Sequence, residues 1–220
     1  MIRERSPFHP GIRAGIPFAV AALLVGISFG VVAKPVMGTV APIAMSTLVF
    51  AGAAQFGATA VLAAGGDAFT AVAAGVMLNA RFLPMGIAVS GVLRGGPLRR
   101  AFEGQSVVDA SWAAAHQGDG HFDRYVLIGA TLPQYPAWVL GTAIGVLGAD
   151  QLGDPKALGL DAVFPAFFLG LLLSEATAPR AARITAAAGA AIALALTPLL
   201  PPGLPILIAS AAALLGLRIR

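Results

Sequence analysis

An all-α polytopic membrane helix bundle of about seven spans, with broken helices, is the fold class that this sequence predicts. Three observations predict it. The 220 residues are 58% hydrophobic and 11% charged, with a mean hydropathy of +0.85, whereas soluble domains are roughly half apolar and about a quarter charged. A soluble fold keeps a large solvated shell, so this much apolar surface calls for lipid around it. The apolar runs are long and do not alternate as barrel strands do. Finally, 27 glycines and 16 prolines suit close helix crossings and interrupted helices in hydrocarbon.

A spanning helix needs about 20 mostly apolar residues. The first such run is Gly15–Ala33. Its basic flank "MIRERSPFHPGIR" imitates a leader peptide, but many apolar runs follow, so a retained first span is expected. Val40–Ala64 and Phe69–Leu93 come next, then a more polar stretch, then Tyr125–Gly148. Within the fourth run, "TLPQYPAW" sets Pro133 and Pro136 around Gln134 and Tyr135, and two prolines three apart should interrupt that helix. Leu158–Thr177 carries a further kink at Pro165, in "VFPAFF". Ala181–Leu199 and the short Leu204–Leu217 close the chain around "LLPPGLP". All of it reads as one integral membrane domain, residues 1–220.

Charge adds an expected orientation. With the amino terminus outside, Lys34, Arg94, Arg99, Arg100, Arg124, Arg180, Arg183, Arg218 and Arg220 fall on the cytoplasmic side. Arg3, Arg5, Arg13, Lys156 and the acidic turn that begins at Asp150 then fall outside. The two stretches "ALLVGISFGVVA" and "WVLGTAIGVLGA" are faintly alike, and each is followed by a "VF" pair. They suggest pseudo-repeats over 15–93 and 125–217, inverted if three spans separate them, as in many carriers. The net charge of +4 reads as arginines flanking spans, so nucleic acid is not an expected partner. The chain has no cysteine, hence no disulfide or thiolate metal site. No cofactor and no metal site are expected.

Arg81 is the most informative residue. About twelve residues separate it from Arg94, some 18 Å of helix, which places it near mid-bilayer. A charge there normally faces a cavity or a partner; a structural ion pair and a place on a substrate path both fit. Asn79 and Pro84 accompany it in "LNARFLPMG". Pro84 should kink the helix and free the Ala80 carbonyl. In "MSTLVFAGAAQF", Gln55 stands among Gly52 and other small residues between Phe50 and Phe56. That pattern fits a cavity wall with one polar contact, or a helix crossing with one interhelical hydrogen bond. Asp109, in "GQSVVDASWAAA", is a partner for Arg81 if its segment dips into the bundle, and an ordinary loop carboxylate otherwise. Tyr135 and Pro165 join Phe50, Gly52 and Pro84 as cavity or hinge positions. Catalytic patterns are absent: His116 and His121 lack the H-E-x-x-H spacing, and neither a G-x-S-x-G elbow nor a Walker loop occurs. An enzyme is not expected.

With these motifs on the page, the chain resembles the AzlC-type branched-chain amino acid permeases, the large subunit of two-component exporters. The resemblance rests on "GIPFAVAALLVGISFGVVA", "MSTLVFAGAAQF", "LNARFLPMG", "VVDASWA", "WVLGTAIGVLGA" and "LGLDAVFPAFFLGLLL", in that order. Phe82 stands where the family commonly has histidine, and Ala110 where it commonly has glutamate. The resemblance implies export of valine, leucine, isoleucine or related amino acids across the cell inner membrane, with a small AzlD-type membrane subunit as partner. On this reading Arg81 and Asn79 would receive the substrate carboxylate, Gln55 its amino group or a gating bond, and Asp109 would be a counter-ion or coupling acid. A non-transporting membrane assembly subunit and a small-anion channel are the alternatives.

Overall fold

Helices make up nearly every described element of this computed structural model. It describes residues 7–118, 120–152 and 180–200, with isolated positions between 159 and 212. In chain order the helices are α1 (His9–Met37), α2 (Val40–Leu48), α3 (Gly52–Ala63), α4 (Ala68–Asn79), α5 (Phe82–Val89), α6 (Pro97–Gly104) and α7 (Asp109–Ala115). A two-stranded hairpin, β1 (His116–Gly118) with β2 (His121–Phe122), leads to α8 (Arg124–Leu152), and α9 (Arg180–Leu196) follows later. The chain divides into two units, Met1–Gly52 with Arg81–Leu160 and Ala53–Ala80 with Asp161–Arg220.

The first unit is built on α1 and α8. Both have 29 residues, about 43 Å each at ~1.5 Å per residue. They run parallel, zipped by small residues. A Cβ added at Gly11 would meet the Val126 carbonyl oxygen at 2.6 Å, and one at Gly26 would meet that of Trp138 at 2.6 Å. From the other side, a Cβ at Gly129 would meet the Phe8 oxygen at 2.6 Å. Gly15 and Gly30 on α1, and Gly141 and Gly145 on α8, press on backbone in the same way. In lipid no hydrophobic force drives helices together, so backbone contact through glycine supplies much of the attraction. At one end of the pair the Phe8 and Tyr125 rings meet edge to face, 5.2 Å apart. At the other, Lys34 Nζ lies 2.5 Å from Asp150 Oδ2.

That geometry corrects the expected orientation. Lys34 and Asp150 were assigned to opposite faces of the membrane, yet they form an ion pair. The two similar glycine stretches also run side by side in one direction, which is a parallel relation and not an inverted one. The reason lies in the intervening chain. Val40–Ala64 is not one span: α2 stops at Leu48, and the backbone turns at Phe50, whose φ is +44°. A left-handed non-glycine residue is a break that hydropathy does not register.

Of two further expectations about proline, one holds and one changes. The chain leaves helix at Ala80–Arg81, and Pro84 sits in the first turn of α5. A bend of 44° separates α4 from α5 at this break, the kink expected of a proline four residues after Ala80. Pro133 and Pro136 lie inside α8 without interrupting it. There the Gln134 side-chain amide donates to the Ala130 carbonyl at 2.7 Å, and Thr131 Oγ1 lies 3.1 Å from the Leu127 carbonyl.

Among the described residues, α1 is the one helix that is long and apolar enough throughout to cross a membrane, and α4 with α5 would make a second if counted as one bent span. α8 equals α1 in length but carries the polar "PQYP". The seven-span expectation includes Leu158–Thr177 and Leu204–Leu217, which fall mostly outside the described residues, as does Pro165. Ile16, Val20 and Leu24 on α1, and Leu140, Ile144 and Leu147 on α8, are each more than half exposed. Such apolar stripes suit acyl chains.

In the second unit α3 and α4 approach closely. A Cβ at Gly75 would lie 3.6 Å from Ala54 Cβ, and one at Gly57 would overlap the Leu78 side chain. Asp67 caps α4, accepting the Thr70 amide at 2.8 Å.

Gly145→Val is predicted to collapse the α1–α8 contact. The detergent-solubilised protein should lose several degrees of thermal midpoint or fail to accumulate, since overpacking costs about 1–3 kcal/mol or more. Gly86→Ala, in α5 with open space around it, should leave the midpoint within a degree or two.

Candidate functional site

Polar side chains in the first unit concentrate where α7 meets α8. Ser111 and Gln134 are buried, and Gln134 Nε2 donates to Ser111 Oγ at 2.9 Å. The Thr131 hydroxyl lies 2.7 Å from Ser111 Oγ and 3.2 Å from the Ser106 carbonyl. Further along α7, Ala115 packs with Phe122 and Leu127 at the start of α8. The segment after α6 therefore descends beside α8 to about Gln134 and returns as α7. Gln134 is ten residues, ~15 Å, from Arg124. The tip of this dip is Asp109, the first residue of α7.

Arg81 meets it there. Its Nη2 donates to Asp109 Oδ2 at 2.9 Å, with about a third of each side chain exposed. Phe82 lies under the guanidinium, 5.1 Å from centroid to Cζ. Phe82 thus offers an aromatic face, and no proton, to the arginine. α5 descends from this level to the cluster of Val89, Val107 and Leu127, and Trp112 Nε1 donates to the Met85 carbonyl at 3.3 Å. Two half-length helices, α5 and α7, thus bring one cation and one anion together at depth.

A second network lies one to two turns further along α8. Thr142 donates to the Trp138 carbonyl at 3.0 Å, Ser46 and Thr142 hydroxyls are 2.7 Å apart, and Trp138 Nε1 donates to Ser46 Oγ at 3.1 Å. Phe50 is buried against Tyr135 and Trp138, with ring centroids at 5.1 and 6.4 Å. The Tyr135 hydroxyl donates to the Thr47 carbonyl at 2.7 Å. Phe50 and Tyr135 are thus partners at the break between α2 and α3. Gly52 begins α3. Pro84 is exposed.

In the second unit, Gln55 is fully buried on α3, and its backbone carbonyl accepts from Thr59 Oγ1 at 2.8 Å. Asn79 ends α4 with its Oδ1 buried and without a hydrogen-bond partner among the described residues. Such an acceptor is rare enough to call for a reason. Ala54 and Gly75, in close approach, supply the helix crossing that was one of the two readings of this segment.

Sequence reasoning passed over Glu103. On the polar helix α6, between the apolar runs, it is buried and takes both Arg99, at 3.1 Å, and Arg124, while the Arg94 amide donates to it at 3.1 Å. The Arg124 hydrogen bond does most to hold its carboxyl low, at about 2; burial opposes this, and the Arg94 and Arg99 bonds add to it. Arg124 is raised in turn, chiefly by Glu103. The signal was present as an arginine–glutamate pair four apart, Arg99 and Glu103. Ser46, Ser111 and Thr142 gave no such signal, because a small hydroxyl among alanines is common in membrane helices.

A carboxyl lowered on folding stabilises the protein above its unfolded value and loses that contribution as pH falls towards the folded one. Acid titration of the purified protein, followed by tryptophan fluorescence, should therefore show stability falling between about pH 4.5 and 2. Glu103→Gln should be less stable at neutral pH and should lack that part of the decline.

The family described as AzlC protein matches residues 17–152, more than half of the chain. The inner membrane protein YgaZ of Escherichia coli is 26% identical over 198 residues, covering 84% of this chain and 80% of its own length. The branched-chain amino acid transport protein AzlC of Bacillus subtilis is 25% identical over 183 residues, covering 79% of this chain and 71% of its own. No solved structure matches the chain.

Proposed function

Because the chain belongs to the AzlC protein family, we propose that it is a secondary carrier that exports branched-chain or other small hydrophobic amino acids. It works in the cytoplasmic membrane with ion coupling and a small AzlD-type membrane subunit. The transport role draws on the relative named as a branched-chain amino acid transport protein. The single observation that carries the mechanism is the ion pair of Arg81 with Asp109 at the tip of the dip.

A guanidinium can take a carboxylate through two parallel bonds. Asp109 occupies one face of it when no substrate is bound. An incoming amino acid carboxylate competes for the same donors, and a proton on Asp109 removes the competitor. Substrate and proton are then linked through one arginine. Asn79 Oδ1, a buried acceptor, suits an ammonium group or a bound water, and the buried Gln55 is the second amide proposed for the amino group or for a gating bond.

Orientation follows from the parallel pair. Arg13, Arg94, Arg99, Arg100 and Arg124 lie towards the amino-terminal ends of α1 and α8, whereas Lys34 at the other end is neutralised by Asp150. The positive-inside rule supports a cytoplasmic location for the arginine end.

Efflux of labelled valine, leucine and methionine from cells preloaded with dipeptides, with and without the small subunit, tests the proposal. Arg81→Gln should reduce efflux about tenfold or more, the scale of one lost charge-assisted bond. Asp109→Asn should remove its response to a pH gradient. Normal efflux by Arg81→Gln protein present at wild-type level in the membrane would sink the mechanism. Since the chain lacks cysteine, orientation is open to labelling. Gly96→Cys should react from the cytoplasmic side alone, and Gln151→Cys from the opposite side alone.

A further inference from the structure

We propose that Phe50 is a conformational switch. Its ring, gripped by α8, keeps the chain broken between α2 and α3, and its release lets them join as one helix. The break is short. Val49 still has helical dihedrals, φ −94° and ψ −41°, and α3 begins at Gly52, so only Phe50 and Ala51 leave the helix. Among the described residues every other positive φ belongs to a glycine, in a chain that has 27 of them. Left-handed backbone crowds the Cβ of a bulky residue against its own main chain, so phenylalanine is strained at φ +44°. Glycine would satisfy the backbone there. The ring is what glycine lacks.

The grip comes from one face of α8, where Tyr135, Trp138 and Thr142 follow at helical spacing. The Phe50 ring meets those of Tyr135 and Trp138 edge to face, both at 77°. The same three side chains hold the last turn of α2. The Tyr135 hydroxyl donates to the Thr47 carbonyl, Trp138 Nε1 donates to Ser46 Oγ, and the Thr142 hydroxyl lies 2.7 Å from Ser46 Oγ. Behind them Phe29 of α1 stacks on Trp138, with centroids 6.5 Å apart. A strained residue persists where its surroundings over-determine it. Here they are a few ring contacts and hydrogen bonds, while the strain itself favours release. Two discrete states follow. The chain leaves the first unit after Gly52 and returns to it at Arg81. This break and the 44° bend between α4 and α5 therefore bound the α3–α4 segment, and hinges are typically such element-terminal residues. The switch operates regardless of which substrate is carried.

Because the chain has no cysteine, Val40→Cys and Ala63→Cys, at exposed positions that begin α2 and end α3, can carry spin labels. Pulsed dipolar spectroscopy of the labelled protein in lipid nanodiscs then reads the distance between them, with no transport assay involved. The broken state gives one distance, and the continuous helix gives a second, longer one of ~35 Å at ~1.5 Å per residue. Tyr135→Phe keeps the ring and drops the Thr47 bond, so it should raise the longer population about fivefold, the scale of one hydrogen bond. Phe50→Ala loses the ring and keeps the strain, and should raise it further. Phe50→Gly loses the same ring but bears no steric cost in left-handed backbone, so its longer population should be about tenfold smaller than that of Phe50→Ala. A break that is merely loosened would instead broaden the single distance, most of all in Phe50→Gly. One unmoved distance in Tyr135→Phe, a broadened distribution in place of a second peak, or a longer population in Phe50→Gly that equals or exceeds that of Phe50→Ala would overturn the proposal. Tyr135→Phe removes a single oxygen, so it tests the switch even where the Phe50 variants fail to accumulate.

Discussion

Backbone contact between α1 and α8 is the constraint on which the rest of the first unit depends. Seven glycines bring two 29-residue helices close enough that added methyl groups would strike opposing main chain. Because lipid is as apolar as leucine, such contact replaces the hydrophobic effect as the attraction between helices. The parallel direction then decides which residues share an end. Lys34 finds Asp150 at one end, and Arg124 joins Glu103 and the arginines of α6 at the other.

α8 also serves as the ruler for the chemistry. Its first turns anchor α6 through Glu103 and Arg124, its middle holds Ser111 through Thr131 and Gln134, and this pins the tip of the dip. Asp109 is thereby carried to the depth of Arg81 on a half-length helix. Irregular backbone at that depth is tolerated where side chains satisfy its polar groups, and here Thr131 reaches the Ser106 carbonyl. The proline-rich "TLPQYP" thus does its work as a polar face on a continuous helix. Pro133 and Pro136 remove the amide donors to the Gly129 and Leu132 carbonyls, and the helix continues through both.

Much was legible before any fold. The helical class followed from the length and composition of the apolar runs, and the polar break after Leu93 is where α6 and the hairpin lie. Arg81, Asp109 and Gln55 stood out because each places a charge or an amide in a setting that makes it expensive. Glu103 was missed because a glutamate in a basic stretch looks solvated. Only burial against Arg124, 21 residues away, distinguishes it. The bend between α4 and α5 was legible because a proline crowds the carbonyl four residues before it, here that of Ala80.

The sequence by itself determined the solvent of this protein, its helical character and the few polar groups that chemistry can use, since these depend on local composition and on the cost of burying charge. The tertiary structure alone decided that α1 and α8 run parallel, that the chain turns at Phe50, and that Asp109 reaches Arg81. Those outcomes depend on which surfaces meet across long stretches of chain. Glycine spacing permits a close crossing in either direction, and only the assembled helices select one.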